Sequence, residues 1–118
     1  MSLRLAEHAG FCYGVKRAVE LAEQAAASGK KCVMLGHLIH NDSVIARLEA
    51  MGISSVERPG DVPEGAAVII RSHGEPRAVF ELLESRGAEI LDATCPNVSQ
   101  IHKIVAEAEQ NGRQSVII

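Results

Sequence analysis

The chain has few aromatic residues and no long apolar run. Tryptophan is absent, and aromatic residues make up 3% of the 118 positions, so the core is expected to be aliphatic. No apolar segment approaches the roughly 18 residues of a membrane-spanning helix. The amino terminus also lacks the apolar stretch of a signal peptide. These absences predict a cytoplasmic protein with no membrane partner.

Basic residues do not dominate the sequence either. Twelve Lys and Arg against fifteen Asp and Glu give a formal net charge of −3. No basic stripe with interleaved aromatics is present, which argues against a nucleic-acid partner. Hydrophobic residues make up 47% and charged residues 23%. At this length, that composition predicts one globular domain with a real core.

Three cysteines are spread along the chain, and no Cys-x-x-Cys pair occurs. The sequence therefore contains no local metal-binding motif, and disulfides are not expected in a cytoplasmic protein. Cys32 lies inside the apolar run 31–35 and is predicted to be a core residue. The other two, Cys12 and Cys95, are candidates for metal ligands or nucleophiles, although each could also be a small buried hydrophobe.

Short apolar segments alternate with helix-patterned segments. Strands are predicted at 3–6, 31–35, 53–56, 67–70, 89–91 and 115–118. Helices are predicted at about 14–28, 42–51, 76–87 and 96–112. This alternation with short links predicts an α/β fold, a parallel sheet with helices on both faces. The apolar residues predicted to face inward from the last two helices are Val79, Leu82 and Leu83, then Val98, Ile101, Val105 and Ala108.

Chemically reactive side chains fall at four junctions before predicted helices. These junctions are Cys12 within 10–15, His40 within 39–41, His73 within 72–74 and Cys95 within 92–96. The carboxyl ends of parallel strands meet at one edge of a sheet, where ligands bind and helix amino termini attract anions. We therefore expect the four junctions to converge on one site.

The residues alone leave the chemistry of that site open. Imidazoles can donate hydrogen bonds to phosphate oxygens, but His40 and His73 could also be ordinary loop residues. A thiolate can bind iron or zinc, or act as a nucleophile with a histidine base. His8, His37 and His102 are predicted to have no functional role, although His37 could support the nearby His40.

Together the four motifs resemble the hydroxymethylbutenyl diphosphate reductases of the IspH/LytB family. Gly-Phe-Cys-x-Gly-Val followed by Arg17-Ala18, Ile-His-Asn at 39–41, Ser-His-Gly at 72–74 and Asp-Ala-Thr-Cys-Pro at 92–96 occur in the family's order. Each motif is weak by itself, but the set is highly specific. The resemblance spans the whole chain and about the first third of the family's length, so we expect an amino-terminal part of a longer protein.

The resemblance implies a reductive dehydroxylation that yields isopentenyl and dimethylallyl diphosphate in the non-mevalonate pathway. It implies a [4Fe–4S] cluster with Cys12 and Cys95 as two of its three cysteine ligands, and His40 and His73 as ligands of the substrate diphosphate. Reduced ferredoxin or flavodoxin would donate electrons. The family fold is three similar α/β lobes around the cluster. Residues 14–95 would then form one lobe core, while 1–13 and 96–118 would belong to neighbouring lobes.

Some parts of the family's pattern lie beyond residue 118. They are the third cysteine ligand, a third diphosphate-binding histidine and the proton-delivering glutamate, and Cys32 matches none of them. We therefore expect this chain alone to be inactive and to hold a cluster poorly. Two alternatives remain: a standalone anion-binding α/β module without a redox role, and a cysteine-dependent enzyme with Cys12 or Cys95 as nucleophile and His73 as base.

Overall fold

The computed structural model describes all 118 residues, Met1–Ile118, and is built on a four-stranded parallel sheet. The strands are β1 (Cys32–Leu35), β2 (Ser54–Val56), β3 (Ala67–Ile70) and β4 (Glu89–Asp92). The helices are α1 (Tyr13–Ala27), α2 (Asp42–Ala50), α3 (Arg77–Ser85) and α4 (Pro96–Gln110), with a short 3₁₀ turn at Pro59–Asp61. None of the helices is long and apolar enough to cross a bilayer.

The order of strands across the sheet is β2-β1-β3-β4, and every neighbouring pair is parallel. The chain runs outward from β1 to β2 and then returns to the other side of β1 to form β3 and β4. The topological switch point therefore lies between β1 and β3. In open α/β sheets, ligands bind in the crevice outside the carboxyl ends of the strands at this point.

Successive side chains of the two central strands, β1 and β3, point to opposite faces of the sheet, so the core lies on both faces. Every residue of β1 and β3 is buried. Met34 and Ile69 pack with α1 and α2 on one face, whereas Val33 and Val68 pack with α3 on the other. No aromatic side chain is among the buried residues. The predicted fold class and aliphatic core are thereby confirmed.

Asn41 begins α2 next to one of the candidate site histidines. Its Oδ1 accepts a hydrogen bond from the backbone N–H of Val44 at 3.1 Å, and the same N–H also donates to the carbonyl of Asn41 at 3.1 Å. The side chain of Asn41 thus caps the first turn of α2. Asn41→Ala is therefore expected to lower the free energy of unfolding by about 1 kcal/mol, measured by urea denaturation. Asn97→Ala, at an exposed position in the first turn of α4, is the control and should change it by less than about 0.5 kcal/mol. Equal losses in both variants would contradict the capping role.

The strands predicted at both ends of the chain are wrong. Residues 3–6 and 115–118 have no regular secondary structure, and Leu3 and Val116 are 95% and 80% exposed. A strand needs a neighbour with which to pair its backbone groups. Neither segment joins the sheet, so an apolar pattern alone was not sufficient to predict a strand.

The last two helices form where predicted, but part of their expected burial is wrong. No residue of α4 is buried, and Ile101 is 46% exposed. On α3, Leu83 is fully buried, whereas Leu82 is 44% exposed. α4 follows β4, which is an edge strand of the sheet. No strand lies beyond β4, so the apolar stripe of α4 has no further part of the sheet to cover.

Candidate functional site at the carboxyl edge of the sheet

The imidazole rings of His40 and His73 stack on each other at the switch point. Their centroids are 5.5 Å apart, with 29° between the ring planes. The loops that carry them are joined through Ser72, which is buried. The backbone N–H of Ser72 donates to the carbonyl of Leu38 at 3.3 Å, and its hydroxyl donates to the same oxygen at 3.5 Å. The loops after β1 and β3 are therefore held in a fixed relation.

A cleft of about 250 Å³ opens beside this histidine pair. Its lining includes both histidines, and it also includes Phe11, which directly precedes Cys12. The apolar part of the lining is Phe11, Val15 and Ile39. The segment before α1 thus reaches the same cleft as the loops after β1 and β3.

Cys95 is tied to both neighbouring junctions. Its backbone N–H donates to the carbonyl of Ser72 at 2.8 Å. A guanidinium nitrogen of Arg17 on α1 donates to the carbonyl of Thr94 at 3.2 Å. A Cβ added at Gly14 would lie only 2.5 Å from the Cys95 Sγ. The Cys95 thiol therefore packs against the first turn of α1.

Cys12 stands at the beginning of that same helix. It occupies the N-cap position of α1, and Cys95 occupies the N-cap position of α4. Neither side chain makes a capping hydrogen bond, and neither thiol is in a disulfide. Both thiols are therefore free, and each lies at the amino terminus of a helix.

Cys32 is separate from this edge. Its side chain is 3% exposed and belongs to the core cluster shared with α1 and α2. Burial raises the pKa of the Cys32 thiol, and the nearby Glu89 carboxylate raises it further. The residue stays an uncharged thiol at neutral pH, and its predicted place in the core is confirmed.

His102 lies closer to the site than the sequence suggested. A Cβ added at Gly74, whose φ is +80°, would lie 3.0 Å from Cε1 of His102 and 3.2 Å from Cγ2 of Thr94. His102 also lines a second cleft, of about 510 Å³, together with His73 and Arg71. The sequence signal for this position was the spacing of seven residues between Cys95 and His102. This spacing places the two residues on the same side of a helix.

The structure thus brings three of the four junctions together through direct contacts, and Cys12 lies at the start of the helix against which Cys95 packs. No group of three His, Cys, Asp or Glu side chains is arranged to hold a metal ion. The free thiols of Cys12 and Cys95 are the candidate ligands at this edge of the sheet. Whether the two thiols and the two histidines act as ligands stays a prediction.

Solved structures of two reductases share this fold. One, (E)-4-hydroxy-3-methyl-but-2-enyl diphosphate reductase, described as the terminal enzyme of the non-mevalonate pathway, is 44% identical with a TM-score of 0.78. The alignment covers 91% of this chain and 38% of that one. The other, E-1-hydroxy-2-methyl-but-2-enyl-4-diphosphate reductase from Plasmodium falciparum, is 34% identical with a TM-score of 0.81. That alignment covers 89% of this chain and 34% of the other.

Curated relatives carry the same kind of name. A 4-hydroxy-3-methylbut-2-enyl diphosphate reductase from a Geobacter species is 42% identical over 118 residues, which is all of this chain and 42% of the relative. The reductase of that name from Aquifex aeolicus is 42% identical over 115 residues, covering 97% of this chain and 39% of the relative. The chain therefore spans less than half the length of these relatives.

A family model described as LytB protein matches residues 3–118. The match leaves out only the first two residues and includes all four junctions, 10–15, 39–41, 72–74 and 92–96. The chain belongs to the LytB protein family.

Proposed function

We propose that this chain supplies the amino-terminal part of the active site of a 4-hydroxy-3-methylbut-2-enyl diphosphate reductase. The observation that carries the proposal is the stacked pair of His40 and His73 in a cleft that Phe11 also lines. The reaction would be the reductive dehydroxylation of an allylic diphosphate to isopentenyl and dimethylallyl diphosphate. The names of the similar reductases support this substrate class.

In this proposal the two histidines hold the substrate diphosphate. Each imidazole can donate a hydrogen bond to a phosphate oxygen, and such bonds to a charged group are stronger than neutral ones. His40 directly precedes the N-cap of α2, so the positive end of the helix dipole lies near the same place. The apolar side chains of Phe11, Val15 and Ile39 would border the hydrocarbon part of the substrate and exclude water from it.

Cys12 and Cys95 would be two ligands of a [4Fe–4S] cluster. Thiolates are the ligands that such clusters take, and both thiols are free at helix amino termini. The cluster would supply the electrons and a Lewis-acidic iron for loss of the hydroxyl group. The reducing equivalents would come from a reduced ferredoxin or flavodoxin.

The remaining ligands would come from sequence that is not in this chain. We propose that residues 14–95 form one lobe core and that 1–13 and 96–118 pack against neighbouring lobes. Ile101 and Ile104 on α4, and Val116 and Ile117 after it, are all at least 46% exposed within this chain. Apolar surface of this kind favours a packing partner. The chain alone is expected to have no reductase activity.

Pyrophosphate binding to residues 1–118, measured by calorimetry, tests the diphosphate site without the cluster. His40→Asn and His73→Asn are each expected to weaken binding about tenfold or more, because each removes one hydrogen bond to a charged oxygen. His8→Asn changes a histidine of the exposed amino-terminal segment and should leave the affinity unchanged. Failure of the wild-type chain to bind, or wild-type affinity in both site variants, would contradict the proposal.

The stacked pair of His40 and His73 would also suit one alternative, an anion-binding module without a redox role. That alternative predicts pyrophosphate binding that survives loss of both thiols. It also predicts no iron in a chimera in which residues 1–118 replace the matching part of the Geobacter reductase. Iron–sulfur loading of this chimera separates the two functions.

A further inference from the structure

An ion pair closes the loop that carries His73. Nη2 of Arg71 lies 2.7 Å from Oε1 of Glu75, so a side-chain contact joins the first and last residues of the loop 71–75. Inside the loop, the N–H of Gly74 donates to the carbonyl of Arg71 at 2.9 Å. His73 therefore stands on a short turn whose two ends are held together.

The same guanidinium reaches the end of the neighbouring strand. A Cβ added at Gly36 would lie 3.6 Å from Nη1 of Arg71. Gly36 directly follows β1, and its N–H extends the pairing with β2 by donating to the carbonyl of Val56 at 2.8 Å. One Arg71 side chain thus lies near the beginning of the loop that carries His40 and also closes the loop that carries His73.

The burial of the Glu75 side chain sets this ion pair apart from a similar pair on α3. The Glu75 side chain is 9% exposed, whereas Glu81, which pairs with Arg77 at 2.8 Å and the same four-residue spacing, is 60% exposed. Nε of Arg71 is buried without a hydrogen-bond partner. A carboxylate withdrawn from water depends on its partner, whereas an exposed pair contributes little. Holding the Glu75 carboxylate beside Arg71 therefore costs desolvation free energy, which the exposed pair of Arg77 and Glu81 does not.

The His73 loop has a reason to need such a restraint. His73 is exposed and is followed by Gly74, which has a positive φ and no side chain to pack. Without a restraint, the ring of His73 could turn away from His40 toward solvent.

We propose that Arg71 and Glu75 are positioning residues that hold the His73 ring against His40. The expected effect on diphosphate binding rests on the proposed function. The expected effect on the geometry of the two rings does not depend on it. Neither residue needs to touch the diphosphate for the pair to determine how well the two imidazoles meet it.

Glu75→Gln tests the proposal, with Glu81→Gln as the matched control. The ring-proton chemical shifts of His40 and His73 report the stack by NMR, because each ring lies in the ring current of the other. Glu75→Gln is expected to shift both sets of signals and to weaken pyrophosphate binding about tenfold, since misplaced binding groups lose much of their effect. Glu81→Gln should reproduce the wild-type spectrum and affinity.

Arg71→Lys is the second variant, in case Glu75→Gln does not fold. It keeps a positive charge beside Glu75 but lacks the second guanidinium nitrogen, which lies near Gly36, so the histidine signals should move in the same direction. Wild-type histidine signals in the folded variants, or equal changes in Glu81→Gln, would overturn the positioning role. Suppose that the wild-type chain binds no pyrophosphate, but Glu75→Gln still shifts the histidine ring signals. That result would contradict the proposed function and uphold the positioning role.

Discussion

Cys12→Ser and Cys95→Ser are each expected to abolish iron–sulfur loading in the chimera with the Geobacter reductase. A serine hydroxyl is a far weaker ligand for iron than a thiolate. Loss of supporting groups around metal sites already costs about 10- to 100-fold in affinity or activity. Loss of a ligand should therefore lower reductase activity by more than about 100-fold. Anaerobic reconstitution followed by iron and sulfide analysis measures the effect.

Cys32→Ala is the matched control for these two variants. Its thiol lies in the core, 3% exposed, away from the carboxyl edge of the sheet. The variant should lose some stability because it leaves a small cavity, but it should take up a full complement of iron. Full loading in Cys12→Ser or Cys95→Ser, or loss of iron in Cys32→Ala, would contradict the ligand assignment.

Gly14→Ala is expected to destabilise the fold and to displace the Cys95 thiol. The added methyl group would lie 2.5 Å from Sγ and 2.8 Å from Cβ of Cys95. Alanine favours a helix over glycine by about 1 kcal/mol, but this overlap involves a Cβ attached to the backbone, so the start of α4 must move. Overpacking of this kind costs about 1–3 kcal/mol. We expect a net loss of about 1 kcal/mol in urea denaturation, together with impaired iron loading of the chimera.

Gly60→Ala is the control for that substitution. A Cβ at Gly60 meets no atom within 4 Å, and its φ is not positive, so stability and iron loading should stay as in the wild type. If Gly14→Ala were as stable as Gly60→Ala and loaded iron normally, the close packing of Cys95 on α1 would be contradicted.

The fold could be predicted wherever local pattern and burial agree. The run Ala67–Ile70 is apolar throughout because β3 is buried on both faces, and its predicted bounds match the structure. The predicted meeting of the loops at His40, His73 and Cys95 followed from topology, since parallel strands place their carboxyl ends at one edge. The contacts of Ser72 with Leu38 and Cys95 confirm that these loops meet.

The features that sequence analysis missed depend on partners distant in the chain. Residues 3–6 and 115–118 carry strand-like patterns but find no strand to pair with. His102 reaches Gly74 only because α4 starts beside the His73 loop. Arg71 lies near Gly36 at the end of another strand, and no local pattern predicts that the two residues are close. Periodicity predicts which side of an element is apolar but does not identify what covers it.

The convergence of thiols and imidazoles on one site is tested most directly by iron anomalous diffraction. Crystals of the reconstituted chimera would be soaked with pyrophosphate. The account predicts iron bonded to the sulfur atoms of Cys12 and Cys95, with pyrophosphate in contact with the rings of His40 and His73. Iron bonded to neither of these cysteines, or pyrophosphate bound away from both histidines, would contradict it.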